Sequence, residues 1–139
     1  MANPMAEFKK SYTKEFDVGG RTFVLRSLST GEVEDIEATL RRKYGSSDTD
    51  SLSQPLQKTE VLCRAIVSVD GIPIRQFDTV IADSGNMSEE DAVRKEVSSW
   101  DDTVTAMLHL CYLSLIKEKD ERFRDDVERF RKFLEPIKS

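Results

Sequence analysis

The chain has 139 residues, the usual size of one domain, and can bury a core without metals or disulfides. Its net charge is −5 and no block of Lys or Arg is present, so the composition disfavours nucleic acid as a partner. No stretch is as long and apolar as a signal peptide or a membrane span, which predicts a cytoplasmic protein that does not bind membranes. A single domain over residues 1–139 is expected.

The N-terminal part predicts a β-hairpin. Residues 1–10 have no hydrophobic period and are expected to form a flexible arm. Two short alternating runs then flank Gly19-Gly20, and glycine supplies the positive φ values that a two-residue turn requires. Phe23 and Leu25 lie on one side of the second strand, which predicts that both point into the core.

A helix is predicted to begin at Ser29. The Ser29 hydroxyl can cap the exposed amides, and Glu32, three residues later, can reach back to the amide of Ser29. The basic residues 41–43 fall in the last turn, where the helix dipole explains them better than an anion-binding patch does. The apolar positions that define the buried stripe of this helix are Val33, Ile36 and Leu40.

A loop and then a core helix are predicted next. Residues 46–54 (SSDTDSLSQ) are rich in turn formers and predict a flexible loop. Pro55 suits an early helical position, and the apolar spacing after it predicts a core helix that includes Val67. Asp70-Gly71 is a strong turn signal, so the chain is expected to reverse there.

Two further helices are predicted after a segment that has no clear pattern. Residues 75–86 mix apolar positions with turn formers, and no element is assigned to them. Ser88, followed by carboxylates, predicts a capped helix that ends near Val97. The next helix begins near Trp100 and carries a broad apolar surface, which is expected to be buried against the core helix. Its apolar residues are Val104, Met107, Leu108, Leu110, Cys111, Leu113, Leu115 and Ile116.

The last part of the chain is highly charged, and residues 117–139 are predicted to form an amphipathic C-terminal helix. Its apolar residues recur at heptad spacing, with an interruption at Asp120. This narrow seam either packs on the protein's own core, associates with a second copy or enters a groove on a partner, and its width does not decide between them. The candidate partner-binding residues are Ile116, Phe123, Val127, Phe130, Phe133 and Leu134.

The sequence predicts no catalytic, cofactor-binding or metal site, and hence no enzyme. His109 is the one histidine, and it lies two positions before Cys111 on a helix, so the two side chains point to different faces, which is poor geometry for a zinc site or a thiol–imidazole pair. Cys63 and Cys111 lie among apolar residues, as reduced, buried cysteines do. Phosphate-binding glycine patterns are absent.

Taken together, these elements predict an α+β fold that is mostly α, with an N-terminal β-hairpin packed on a small helical bundle and a long amphipathic C-terminal helix. At FVLRSLSTGE (Phe23–Glu32) and VLCRAIVSVDGIPI (Val61–Ile74), the chain resembles the tail assembly chaperones of tailed bacteriophages and the baseplate hub assembly proteins of contractile-tailed phages. The shared features are a Leu-Arg-x-Leu strand, a Ser/Thr-Gly-Glu helix start and an apolar run into Val-Asp-Gly-x-Pro-Ile. The heptad helix has no counterpart in this pattern.

The resemblance implies a non-enzymatic assembly protein, without a cofactor, that binds other phage tail or baseplate proteins in the host cytoplasm. The apolar stripe of the C-terminal helix, or the edge of the hairpin, is then expected to mask a surface on a tail protein until assembly. Two alternatives stay open. The protein is a structural component of the tail or baseplate that remains in the virion, or it is a small phage-encoded inhibitor of a host protein.

Overall fold

The protein is built from a small antiparallel sheet and a set of helices that cover one side of it. The computed structural model describes residues 10–44, 49–122, 124, 128, 129, 131 and 132. The strands are β1 (Thr13–Val18), β2 (Arg21–Arg26), β3 (Ile66–Val69) and β4 (Ile72–Pro73). The helices are α1 (Thr30–Tyr44), α2 (Thr49–Ala65), a 3₁₀ turn (Ile74–Gln76), α3 (Asp78–Asp83), α4 (Glu89–Ser98) and α5 (Asp102–Arg122). This architecture confirms the predicted α+β class, mostly α, with an N-terminal hairpin and a long C-terminal helix.

The sheet consists of two hairpins in series, in the order β1-β2-β3-β4, and every neighbouring pair is antiparallel. The first turn uses Gly19 and Gly20, with φ of 59° and 79°, as predicted. The second uses Asp70 and Gly71, with φ of 51° and 80°. Positive φ at both central residues twists a two-residue turn in the same sense as the strands, which favours tight hairpins.

The second hairpin corrects the prediction for the core helix. That helix ends at Ala65, whereas the prediction carried it through Val67, and the chain then continues as strand β3. Asp70-Gly71 does reverse the chain, but between two strands. The β-branched residues of β3 suit a strand, and pairing with β2 satisfies their backbone groups in a way that the local sequence does not reveal.

The core has two clusters that share α2. The larger cluster is formed by Phe23, Leu25, Leu62, Ile66, Ile74, Val80, Ala92, Val93, Val97, Leu108 and Leu115. The smaller one is formed by Leu28, Ile36, Leu40, Val61 and Ala65. Phe23 and Leu25 are buried as predicted, with exposed fractions of 5% and 0%. Tyr112 packs against both clusters, so they are joined through α5 as well as through α2.

Helix α5 is buried on one side only. Leu108 and Leu115 are fully buried, as predicted. The prediction of a broad buried surface is wrong for Met107, Leu110 and Leu113, whose exposed fractions are 47%, 59% and 49%. The helix packs on α2, β1 and β2 from one side, and side chains on its opposite side therefore point away from the core.

The start of α1 follows the predicted capping box. The Ser29 hydroxyl accepts from the Glu32 amide at 3.2 Å, and the Glu32 carboxylate accepts from the Ser29 amide at 3.0 Å. Arg26 also donates two hydrogen bonds to this carboxylate, which ties the end of β2 to α1. Val33 is 43% exposed, so its predicted burial is wrong, because only Ile36 and Leu40 of the stripe join the smaller cluster.

The flexible loop predicted over residues 46–54 is wrong from Thr49 onwards, where α2 begins. Ser, Thr and Asp are as common in the first turn of a helix as in loops, so composition did not separate the two. Residues 45–48 lie outside the described residues, as do residues 1–9, which make up nearly all of the predicted flexible arm.

The structure assigns two elements to the segment 75–86 and gives the bounds of the last helix. The 3₁₀ turn and α3 fill most of the segment, and Ser88 caps α4 by accepting from the Asp91 amide at 3.1 Å, as predicted. Helix α5 runs without a break past Lys117, the residue at which the C-terminal helix was predicted to start. Beyond Arg122 the backbone is helical at residues 124, 128, 129, 131 and 132. Within the described residues, a helix that could span a lipid bilayer does not occur.

An ionic cluster that is buried except at Asp35 joins three helices; we call Asp35, Glu60, Arg64 and Arg94 the Glu60 cluster. The Glu60 carboxylate accepts from Arg94 at 2.6 and 3.0 Å and from Arg64 at 2.9 Å. Arg64 also donates to Asp35 on α1 at 2.7 Å. Burial alone would raise the pKa of Glu60, but the hydrogen bonds from the two arginines outweigh it and lower the pKa.

Candidate functional site

The structure describes one of the six residues of the predicted partner-binding seam. Ile116 is half-buried and packs against the larger core cluster. The other five residues lie outside the described residues: Phe123, Val127, Phe130, Phe133 and Leu134. The first residue of the seam therefore faces the protein's own core, and the partner-binding role of the rest stays a prediction.

An open groove lies at the end of the sheet, between the Asp70-Gly71 turn and the first turns of α3 and α5. Its volume is about 610 Å³. Half of its lining residues are aromatic or aliphatic, and the other half are polar or charged. We call it the aromatic groove. The lining residues are Arg21, Phe23, Val69, Asp70, Ile72, Gln76, Phe77, Asp78, Thr79, Trp100, Asp101 and Val104.

The aromatic floor of the groove is held in place by packing and by one carboxylate. The rings of Phe23 and Trp100 meet edge to face, with centroids 6.0 Å apart and an interplanar angle of 68°. The Trp100 indole N–H donates to the Glu96 carboxylate at 3.4 Å, and the Thr79 hydroxyl donates to the same carboxylate at 2.9 Å. Glu96 therefore links the start of α3 to Trp100. A fixed aromatic surface loses little conformational entropy when it binds a partner.

Ile72 gives the groove an exposed aliphatic wall. It lies in β4, directly after the Asp70-Gly71 turn, and is 52% exposed. Phe77 also lines the groove; it lies between the 3₁₀ turn and α3 and is half-buried against the larger core cluster. An open concavity with apolar walls of this kind is typical of surfaces that receive apolar side chains of a partner.

The rim of the groove is acidic. Among its lining residues Arg21 is the one cation, and Asp70, Asp78 and Asp101 are the anions, so the lining has a net charge of −2. Arg21 donates to Asp70 at 2.8 Å. The Asp70 carboxylate also accepts from the Thr22 amide at 2.8 Å, and this hydrogen bond and the one from Arg21 lower the pKa of Asp70. The Asp101 carboxylate accepts from the Thr103 amide at 2.8 Å, which caps α5.

The thiols of Cys63 and Cys111 and the imidazole of His109 lie outside this groove. Burial raises the pKa of the Cys63 thiol to about 12, and it raises the pKa of Cys111 as well, so both thiols are held in the unreactive protonated form. The His109 ring stacks on Tyr112, and burial and the nearby Lys58 lower its pKa. No group of three or more His, Cys, Asp or Glu in the described part of the chain could hold a metal ion.

The sequence did not predict the groove as a site. Phe77 falls in the segment to which no element was assigned, and Trp100 was interpreted only as a helix start. A signal was present, since the one tryptophan of the chain lies in a polar stretch, where a large aromatic ring is unusual. What brings it to Phe23 is the packing of α5 against β2, which spacing along the chain does not show.

The groove is an open concave surface with aromatic residues and a net negative charge, and surfaces of this kind receive ligands and partners. Comparisons of the chain with protein-family models, with curated proteins and with solved structures found no match, and the function proposed below is therefore inferred from the residues and the geometry of this chain.

Proposed function

We propose that this protein is a non-enzymatic assembly protein of a tailed bacteriophage, which binds another tail or baseplate protein in the host cytoplasm. The observation that carries the binding role is the aromatic groove, which is open and apolar and has an acidic rim. The phage assignment is supported by the resemblance at Phe23–Glu32 and Val61–Ile74. These two segments are neighbours in the fold, because β2 pairs with β3.

The occupant proposed for the groove is a segment of a tail protein that carries large apolar side chains next to Lys or Arg. The apolar side chains fit the floor formed by Phe23, Phe77 and Trp100. The basic residues complement the rim, where Asp78 and Asp101 add negative charge that Arg21 does not balance. A neutral or acidic segment would leave these carboxylates desolvated without a partner, at a cost in affinity.

Ile72→Glu is the variant that tests the groove. Its side chain is already 52% exposed, so the substitution places a charge on the apolar wall while changing the folded state little. We expect the tagged wild-type protein to copurify with a phage tail or baseplate protein from infected cells, and Ile72→Glu to lose this partner. Affinity for the purified partner should fall at least roughly tenfold, because the new carboxylate would be buried against the apolar side chains of the partner that Ile72 receives in the wild type.

Ile81→Glu is the matched control, because Ile81 is 58% exposed on α3 and does not line the groove. It should keep the partner. If Ile72→Glu also keeps the partner, the groove is not the binding surface. The combined change of Phe123, Phe130 and Leu134 to alanine then tests the predicted seam in the same assay: loss of the partner with an intact fold would assign binding to the seam.

The identity of the partner separates the remaining functions. Mass spectrometry of purified particles should find an assembly protein absent, whereas a structural component would be present at a fixed stoichiometry. Recovery of a host protein through the groove, and of no tail protein, would support the alternative of a phage-encoded inhibitor and reject the assembly role.

A further inference from the structure

The outward side of α5 carries a row of large apolar side chains that the fold does not use. Met107, Leu110 and Leu113 follow one another at intervals of three residues and are 47%, 59% and 49% exposed. Residues three apart are neighbours on a helix surface, so the three side chains form one strip. We call this strip the outer face of α5. It lies away from Leu108 and Leu115, which are fully buried on the inner side.

Two opposite charges stand on either side of the centre of the outer face, at similar distances from it. Asp102 precedes Leu110 by eight residues, and Lys117 follows Leu110 by seven, which in each case is about two helical turns. The Asp102 side chain is 93% exposed, although it accepts from Lys58 at 3.0 Å, so most of its carboxylate is accessible. Lys117 is exposed as well.

We propose that the outer face of α5 binds the same face of a second copy of the chain, with the two helices antiparallel about a two-fold axis at Leu110. In this arrangement Leu110 meets Leu110 of the second copy, and Met107 meets its Leu113. Lys117 of each copy then reaches the first turn of the other helix, where Asp102 lies. A two-fold interface requires a self-complementary patch, and this sequence of charge, apolar strip and opposite charge provides one.

A second copy fits this face better than an unrelated apolar partner, because it satisfies both charges as well as the apolar strip. A parallel pair would place Lys117 beside Lys117, which costs affinity. One exposed strip on one helix is smaller than the interface of a permanent dimer, so the association is expected to be weak and dependent on concentration. This inference is independent of the proposed function, since the aromatic groove uses other residues.

The decisive substitution is Leu110→Glu, which places two carboxylates face to face at the two-fold axis. Sedimentation velocity of the full chain over a wide range of concentrations should show a monomer–dimer equilibrium for the wild type and monomer alone for this variant. Ile81→Glu, an equally exposed site on α3, should dimerise as the wild type does. Urea unfolding checks that both variants are folded. A wild type that is monomeric throughout, or a Leu110→Glu variant that still dimerises, would overturn the proposal.

A charge exchange tests the antiparallel orientation. Lys117→Asp alone and Asp102→Lys alone should each raise the dissociation constant of the dimer about fivefold, because two attractive contacts become repulsive. The double variant recreates the opposite pairs with the signs exchanged and should return to within about twofold of the wild type. If the double variant dimerises no better than the single ones, the antiparallel pairing is wrong.

Discussion

The Glu60 cluster and the rim of the aromatic groove both contain carboxylates near arginines, but they differ in how far the carboxylates are buried and paired. Glu60 is 5% exposed, and its carboxylate accepts hydrogen bonds from two arginines on two helices. At the rim Arg21 pairs with Asp70, whereas Asp78 and Asp101 form no ion pair with any other described residue. Paired, buried charges fix how helices meet, and exposed carboxylates next to an apolar surface stay available to a partner.

The largest loss of stability should come from a substitution in the Glu60 cluster. Glu60→Ala removes the shared acceptor and leaves two largely buried guanidinium groups side by side, with Asp91 as the remaining partner of Arg94 and Asp35 as that of Arg64. We expect a loss of about 3–5 kcal/mol in the free energy of unfolding, measured by urea denaturation. Asp78→Ala is the control on the rim and should change it by less than about 1 kcal/mol. Equal losses at the two sites would contradict the comparison.

The pair between Arg26 and Glu32 is an intermediate case, because it is partly buried. Glu32→Gln should lower the free energy of unfolding at neutral pH by about 1.5 kcal/mol, since the charge-assisted hydrogen bonds from Arg26 are weakened. Urea denaturation at neutral pH measures this loss. Arg26→Gln removes the same charge pair from the other side and should cost a similar amount.

The same pair gives a dependence on pH with a defined sign. The hydrogen bonds from Arg26 lower the pKa of Glu32 from 4.5 to about 2, so the unfolded chain binds this proton more readily than the folded protein. The stabilisation is therefore complete above pH 4.5 and is lost as the pH falls towards 2. Between these values the stability of the wild type should fall more steeply than that of Glu32→Gln. Parallel curves for the two proteins would show that the pair does not carry this dependence.

The smallest change in stability is expected on the rim, where the effect on binding should be visible instead. Asp78→Asn should alter the free energy of unfolding by no more than about 0.5 kcal/mol, because the side chain is exposed. Its affinity for a basic partner segment should fall about threefold and depend less on salt than that of the wild type. Titrations at low and high salt measure both effects, and an unchanged salt dependence would remove Asp78 from the binding surface.

The elements that the sequence predicted correctly are those that local chemistry decides. The Gly19-Gly20 turn needs positive φ, and the capping box at Ser29 and Glu32 needs only two side chains three residues apart. The cap at Ser88 follows the same logic. In each case the residues that cause the structure are neighbours in the chain, so one short stretch is sufficient to predict it.

The elements that were missed depend on distant partners. The short apolar run at Ile66–Val69 fits a buried helix or a strand equally well, and the edge of β2 decides for the strand. The aromatic groove needs Phe23, Phe77 and Trp100 together, from three separate parts of the chain. The exposure of Leu110 depends on how much of α5 the sheet and α2 cover, which helical periodicity does not reveal.

The contacts between β1 and α5 have a consequence for folding during synthesis. The Tyr12 hydroxyl donates to the Glu118 carboxylate, 106 residues away, and Lys14 pairs with the same carboxylate. Leu108 and Leu115 complete the apolar cluster over Phe23 and Leu25. The first hairpin leaves the ribosome before α5 does, and its apolar side cannot be fully covered until residues up to about Glu118 have followed it. Until then the nascent chain exposes both the edge strand and the core side of the sheet, which is when a chaperone is most able to engage it.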